Sequence, residues 1–149
     1  MKLSTRSRYG TRALIDIAIN ASEKPVQLKD VARRQEISTL YLEHLITPLI
    51  SAGFVRTARG AKGGVWLAKA PEDIRLSEIV PLLEGSMAPV ECVDDPTFCP
   101  RHDSCVTIEV WRELKAAINK VLDGKTLADL VESQKKKIAE QPSVAMYCI

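Results

Sequence analysis

Three of the four cysteines in this 149-residue chain, Cys92, Cys99 and Cys105, are spaced as C-x6-C-x5-C. Thiolates are soft donors that suit an iron–sulfur cluster or zinc. In a cytoplasmic chain, cysteines point to metal-binding, redox or inert thiols before structural disulfides. Three thiolates on one loop can close on one site, and a helix beginning at the last of them favours its thiolate form. On spacing alone the readings stay open between a cluster, zinc and unligated cysteines. Enzymatic chemistry has little to stand on. There is no glycine-rich nucleotide loop after a strand, no nucleophile elbow and no paired His/acid motif, and His44 and His102 are the only histidines.

The elements around the cysteines must hold them. Residues 86–104 have no helical or strand period and contain three prolines, so they read as a loop, which at this length is expected to be functional. Ser77 is read as the N-cap of a preceding helix, SEIVPLLE, that Gly85 closes. After the loop, Cys105 or Val106 opens a helix to Leu122, about 26 Å long at about 1.5 Å per residue. Its apolar residues Trp111, Leu114, Ile118, Val121 and Leu122 share a face and need a cover, expected to be the same helix of a two-fold partner. Gly124 stops it. Thr126 then caps a short helix, with Asp129 at the capping-box position. A polar tail follows Glu132 as far as Met146-Tyr147-Cys148-Ile149.

Upstream, Ser4 to Ala21 reads as a helix burying Tyr9, Ala13, Leu14, Ile17 and Ala18. The segment QLKDVARRQ is a second helix, Glu36-Ile37 a turn, and Ser38 the N-cap of a third, TLYLEHLITPLISA. In that third helix Leu42, Leu45, Ile46, Leu49 and Ile50 form one apolar stripe. Pro48 lies inside it and is expected to kink it locally. Gly53 stands where a helix-ending glycine belongs. Strand-like runs at Phe54–Thr57 and Val65–Ala68 flank a basic, glycine-rich turn carrying Arg59 and Lys62. The expected fold is mainly α with a small β-hairpin: a winged helix-turn-helix plus a long C-terminal dimerisation helix. The expected divisions are 1–85 for the winged helix, 86–104 for the cysteine loop, 105–135 for the dimer and short helices, and 136–149 for the tail.

Such a third helix places its N-terminal residues in the DNA major groove. Here these are Ser38, Thr39, Tyr41, Glu43 and His44. Glu43 repels phosphate but can accept from cytosine N4, so it can discriminate between bases. Arg59 suits a narrow minor groove, and Lys62 adds charge to the wing tip. Charge distribution agrees. Residues 1–70 hold 12 Lys/Arg against 5 Asp/Glu, a net of +7, while residues 71–149 hold 9 against 14, a net of −5. A polyanion partner is expected at the first half only. No apolar run reaches the roughly 18–20 residues a membrane span needs. The N-terminus lacks a signal-peptide pattern, so a cytoplasmic location is expected.

These segments carry a resemblance. MKLSTRSRYGTRALIDIA, ISTLYLEHLITPLISAGFV, RGAKGGVWLA and the later cysteines together resemble the Rrf-type bacterial transcription regulators, whose branches include IscR-like iron–sulfur and NsrR-like nitric-oxide regulators. The similarity spans essentially residues 1–135. The family's wing pattern RGxxGGYxLA carries Val65 here at its aromatic position, followed by Trp66. The resemblance implies a homodimer that binds pseudo-palindromic double-stranded promoter DNA. It also implies an Fe–S cluster on Cys92, Cys99 and Cys105, [2Fe–2S] ahead of [4Fe–4S].

The chain departs from the family in two ways. The first cysteine interval is one residue longer than the common C-x5-C-x5-C. Ile108 occupies the place where IscR-like members have a ligating histidine, and where NsrR-like members use an acid of the first helix this chain offers Arg6, Arg8 and Arg12. The fourth ligand is therefore open among His102, Asp103, Glu91, Cys148 and an exogenous group. An incomplete ligand set suits a labile, sensing cluster that reports iron–sulfur status, redox state or nitric oxide. Gaining or losing it would order or release the loop and shift the two recognition helices. The alternatives are a regulator of the same family without a cluster, answering to a small molecule or a protein partner, and a protein-binding adaptor that uses the winged helix as scaffold.

Overall fold

The computed structural model describes residues 2–141, so Cys148 and the other expectations for 142–149 lie outside the described residues. In chain order the elements are α1 (Thr5–Asn20), α2 (Leu28–Gln35), α3 (Thr39–Ser51), β1 (Val55–Ala58), β2 (Gly64–Leu67), α4 (Leu76–Glu84), α5 (Thr107–Asp123) and α6 (Leu127–Glu140). The fold is a winged helix-turn-helix, α1 to β2, followed within the described residues by three further α-helices. No helix among the described residues is long and apolar enough to cross a membrane.

Ala13, Leu14 and Ile17 of α1 are fully buried and form the centre of the core with Val31, Leu42, Leu49, Ile79 and Leu83. Gly10 lets α1 approach α4 closely, since a Cβ there would fall 2.4 Å from Leu83 Cδ1. Tyr9 and Ala18, expected in the buried face, are only half-buried. Between α2 and α3 the chain turns on Glu36 in the left-handed region (φ 56°, ψ 44°), without a glycine. The Ile37 amide closes this turn on the Ala32 carbonyl at 3.0 Å. Ser38 Oγ then accepts the Tyr41 amide at 3.1 Å, as a helix cap should. Helix α3 runs through Pro48 to Ser51. Leu42, Leu45, Ile46 and Leu49 are buried, but Ile50, expected in the stripe, is 38% exposed because it lies at the edge of the arc.

The wing strands are displaced by one residue from the expected limits. β1 and β2 pair antiparallel with Val55 opposite Leu67 and Ala58 opposite Gly64. Val26, just before α2, exchanges backbone hydrogen bonds with Val65 at 2.8 and 2.9 Å, which docks the wing onto the helices.

Two expectations in the second half need correction, the start of α4 and the length of α6. The residue before α4 is Arg75, not Ser77. The chain at 74–76 is drawn against the start of α6, where the Leu127 amide bonds Ile74 O and the Leu76 amide bonds Lys125 O. Glu78 accepts the Arg75 amide, and Ser77 Oγ donates to Asp123 instead. The loop contains short 3₁₀ turns at Glu91–Val93, Pro96–Phe98 and His102–Ser104. Helix α6 continues to Glu140, well past the short helix expected, and Leu127 and Val131 join the core against the winged helix. Its sequence is polar after Glu132 because only the first turns of the helix bury a face.

Candidate DNA-binding surface and cysteine loop

At the N-terminal end of α3, Thr39, Glu43 and His44 are exposed and so available to a ligand. Ser38 is exposed too, but its hydroxyl caps the helix. Tyr41 faces inward. Its hydroxyl lies 2.9 Å from Thr5 Oγ1, and its ring meets Tyr9 edge-on with centroids 6.3 Å apart. Tyr9 in turn lies under the guanidinium of Arg12, 5.2 Å from the ring centroid. Tyr41 therefore orients α3 as much as it offers a contact. Leu40 was not expected at the surface, yet it is 67% exposed between Thr39 and Tyr41. An apolar side chain there suits a thymine methyl. Its place outside the i, i+3, i+4 stripe was the available signal.

Arg59 and Lys62 are exposed on the wing turn. Among the described residues neither is in an ion pair. The turn is tight, with the Gly63 amide bonded to Gly60 O at 2.9 Å. A Cβ on Gly63 would fall 2.3 Å from the Ala58 carbonyl oxygen.

Cys92, Cys99 and Cys105 are free thiols and half-buried. Cys105 Sγ lies 3.1 Å from Thr107 Oγ1 at the start of α5. That hydrogen bond, then the Thr107 and Ile108 amides, draw the Cys105 thiol below its ordinary pKa. His102 is held between Asp103 and Arg112. His102 Nδ1 is 2.8 Å from Asp103 Oδ1, and its Nε2 is 3.0 Å from Arg112 Nη2. Arginine can only donate, so Nε2 accepts and the ring proton sits on Nδ1 toward the carboxylate. Both ring nitrogens are thus occupied. Ile108, at the position of the missing histidine, is 5% exposed and packs inward. By donor type the three cysteines fit an iron–sulfur cluster. Among the described residues, however, no three Cys, His, Asp or Glu side chains stand together as a metal-binding group.

Residues 3–133 match the Rrf2 family, described as iron-dependent transcriptional regulators. The chain belongs to the Rrf2 family. It is a DNA-binding transcriptional regulator and not an enzyme. It is 50% identical over 131 residues to protein rrf2 of Nitratidesulfovibrio vulgaris, covering 88% of this chain and 87% of that protein. Among solved structures it superposes on IscR of T. potens with a TM-score of 0.74 at 39% identity, covering 92% of this chain and 90% of that one. It superposes on CymR, the global cysteine regulator of B. subtilis, with a TM-score of 0.73 at 37% identity, covering 89% and 98%. The Rrf2 winged helix accounts for the placement of α1 to β2 and of the basic wing.

Proposed function

We propose that this Rrf2-family regulator works as a homodimer that reads promoter DNA with paired α3 helices and senses its signal through Cys92, Cys99 and Cys105. The observation that carries the sensing role is the position of the three free thiols, on the segment that joins α4 to α5. The homodimer reading is supported by the apolar residues that α5 leaves uncovered, Val110, Leu114 and Val121, which are 55%, 38% and 66% exposed. A second copy of α5 covers them. In such a dimer two α3 helices reach successive major grooves about 34–36 Å apart. Thr39, Glu43 and His44 face base edges there. Ser38 caps and Tyr41 orients the helix, and both are close enough to the groove to touch the backbone. Arg59 and Lys62 take phosphate or minor-groove contacts.

The group proposed at the thiols is an Fe–S cluster, [2Fe–2S] ahead of [4Fe–4S]. When bound it supplies redox and nitric-oxide chemistry. The likeness to IscR supports it, and so does the lowered Cys105 pKa. A second reading is favoured by the likeness to CymR and by the lack of convergence among the thiols. In it the cysteines act as redox thiols, or the signal is a small molecule or protein partner. The deciding experiment is visible absorbance on protein purified without oxygen, with iron and acid-labile sulfide assayed on the same sample. Charge-transfer bands with matched iron and sulfide, lost in C92S, C99S and C105S, establish the cluster. Iron-free protein that still binds promoter DNA establishes the second reading.

A further inference from the structure

The cysteine loop leaves α4 at Gly85, directly after Glu84, and Glu84 is clasped by α1. Its Oε1 accepts the Ser4 amide at 2.9 Å, and its Oε2 accepts the Ser4 hydroxyl at 2.8 Å and the Ser7 hydroxyl. Ser7 is only 2% exposed, so its hydroxyl has few other partners. These bonds, Ser7 first, hold the Glu84 carboxyl below the ordinary carboxylate range. The same first turns of α1 also carry Thr5 and Tyr9, which hold Tyr41 at the start of α3. On the far side of Gly85, the Ser86 hydroxyl donates to Asp94, two residues after Cys92, and Asp94 also accepts Lys115 Nζ of α5. Helix α1 thus touches both ends of the connection, Tyr41 of the recognition helix through Thr5 and Tyr9, and the root of the cysteine loop through the Glu84 carboxylate.

We propose that Glu84 is a positioning residue that fixes the recognition helix relative to the cysteine loop, by gripping Ser4 and Ser7 while Thr5 and Tyr9 of the same helix hold Tyr41. A disturbance of the loop pulls on the Glu84 end of α4 and is passed to Tyr41 by the first turn of α1. With the clasp removed, this polar link between the loop root and α1 is lost, and the apolar packing of Leu83 beside it carries no directional hold on the loop. The consequence for DNA rests on the reading of α3 as the DNA-contacting helix. The coupling itself does not, and it is measured without DNA.

The test uses full-length C148S protein with 3-fluorotyrosine at Tyr9, Tyr41 and Tyr147, the Tyr41 resonance being assigned with Y41F. N-ethylmaleimide, which alkylates Cys92, Cys99 and Cys105, is the loop perturbation. In the parent protein, alkylation shifts the Tyr41 fluorine resonance. In E84A that shift is lost, while E84Q, which can still accept the Ser4 amide, recovers part of it. S4A/S7A removes the grip from the other side and loses the shift as E84A does, and adding E84A to it causes no further loss. On DNA, the factor by which alkylation changes affinity shrinks by about fivefold or more in E84A, the lower range of measured site-to-site coupling. The proposal is overturned if the parent's Tyr41 resonance ignores alkylation, or if E84A and S4A/S7A, with native circular dichroism, keep the full shift. A parent protein with the Tyr41 response but no affinity for duplex DNA leaves the coupling standing and removes the DNA reading instead.

Discussion

Asp16 of α1 receives both Nε and Nη2 of Arg34, at 2.9 and 2.5 Å, while only 5% of its surface is exposed. Gln35 Nε2 adds a bond at 2.9 Å, so α1 and the end of α2 meet at one satisfied carboxylate. The same bonding raises the Arg34 pKa, with the Asp16 hydrogen bond as the main cause. Truncating one partner of such a pair leaves the other uncompensated. D16A is expected to lower stability by about 3 kcal/mol, since Arg34 can still reach water. Urea denaturation of D16A against the parent measures it, and an effect below about 1 kcal/mol would show that the pair contributes no more than a surface bridge.

The wing is held by close backbone approach. A Cβ at Gly64 would lie 2.4 Å from Val26 O, a backbone atom that cannot rotate away, and the residue has φ +155°. G64A is expected to cost more than about 1 kcal/mol and to loosen the hairpin from Val26. Amide exchange at Val26 and Val65 reads this directly. Unchanged protection there would rule the contact out as the anchor.

In the proposed DNA complex the charge on the wing tip acts chiefly on phosphate. R59A and K62A are each expected to weaken binding to all duplex sequences alike and to reduce the salt dependence of binding by about one unit of slope. E43A should instead change which sequences bind. Titrations at several salt concentrations on matched and mismatched duplexes separate these outcomes, and equal slopes for parent and R59A/K62A would remove the wing from the contact surface.

Helix α5 turns Val110, Leu114 and Val121 outward, while Trp111, Ile118 and Leu122 are half-buried. V110D and V121D put charge on the face proposed to meet a second copy and are expected to yield monomers with weakened DNA binding. Light scattering gives the mass. A dimer that survives both changes must be built on another surface.

Acid should release the clasp at Glu84. Its folded pKa is lowered, so its stabilising contribution is fully present above the ordinary value of 4.5 and is lost as pH falls through the folded pKa. The stability difference between the parent and S4A/S7A is therefore expected at neutral pH and should shrink in acid below 4.5. Denaturation at pH 7 and pH 3 tests the sign, and a difference that grew on acidification would contradict it.

The linear sequence determined the local features. The 3.6-residue stripe of Leu42, Leu45, Ile46 and Leu49, the Ser38 cap and the glycine wing each depend on near neighbours, so composition and spacing sufficed. The three cysteines were legible for the same reason. The outward face of α5 was legible only in part: Leu114 and Val121 of the expected face are exposed, Trp111, Ile118 and Leu122 are half-buried against the fold, and the exposed Val110 was missed. Tertiary structure decided what depends on residues far apart. Arg75 displaced Ser77 at the start of α4 because Leu127 and Lys125, some fifty residues on, pin that segment. Helix α6 extended to Glu140 because its first turns found a place on the core, which no local propensity reports. That Tyr41 also orients α3 depends on Thr5 and Tyr9, distant from it in the sequence, which only folding brings to it. The Glu84 clasp joins residues 77 to 80 positions apart, and only folding brings its hydroxyls to the carboxylate.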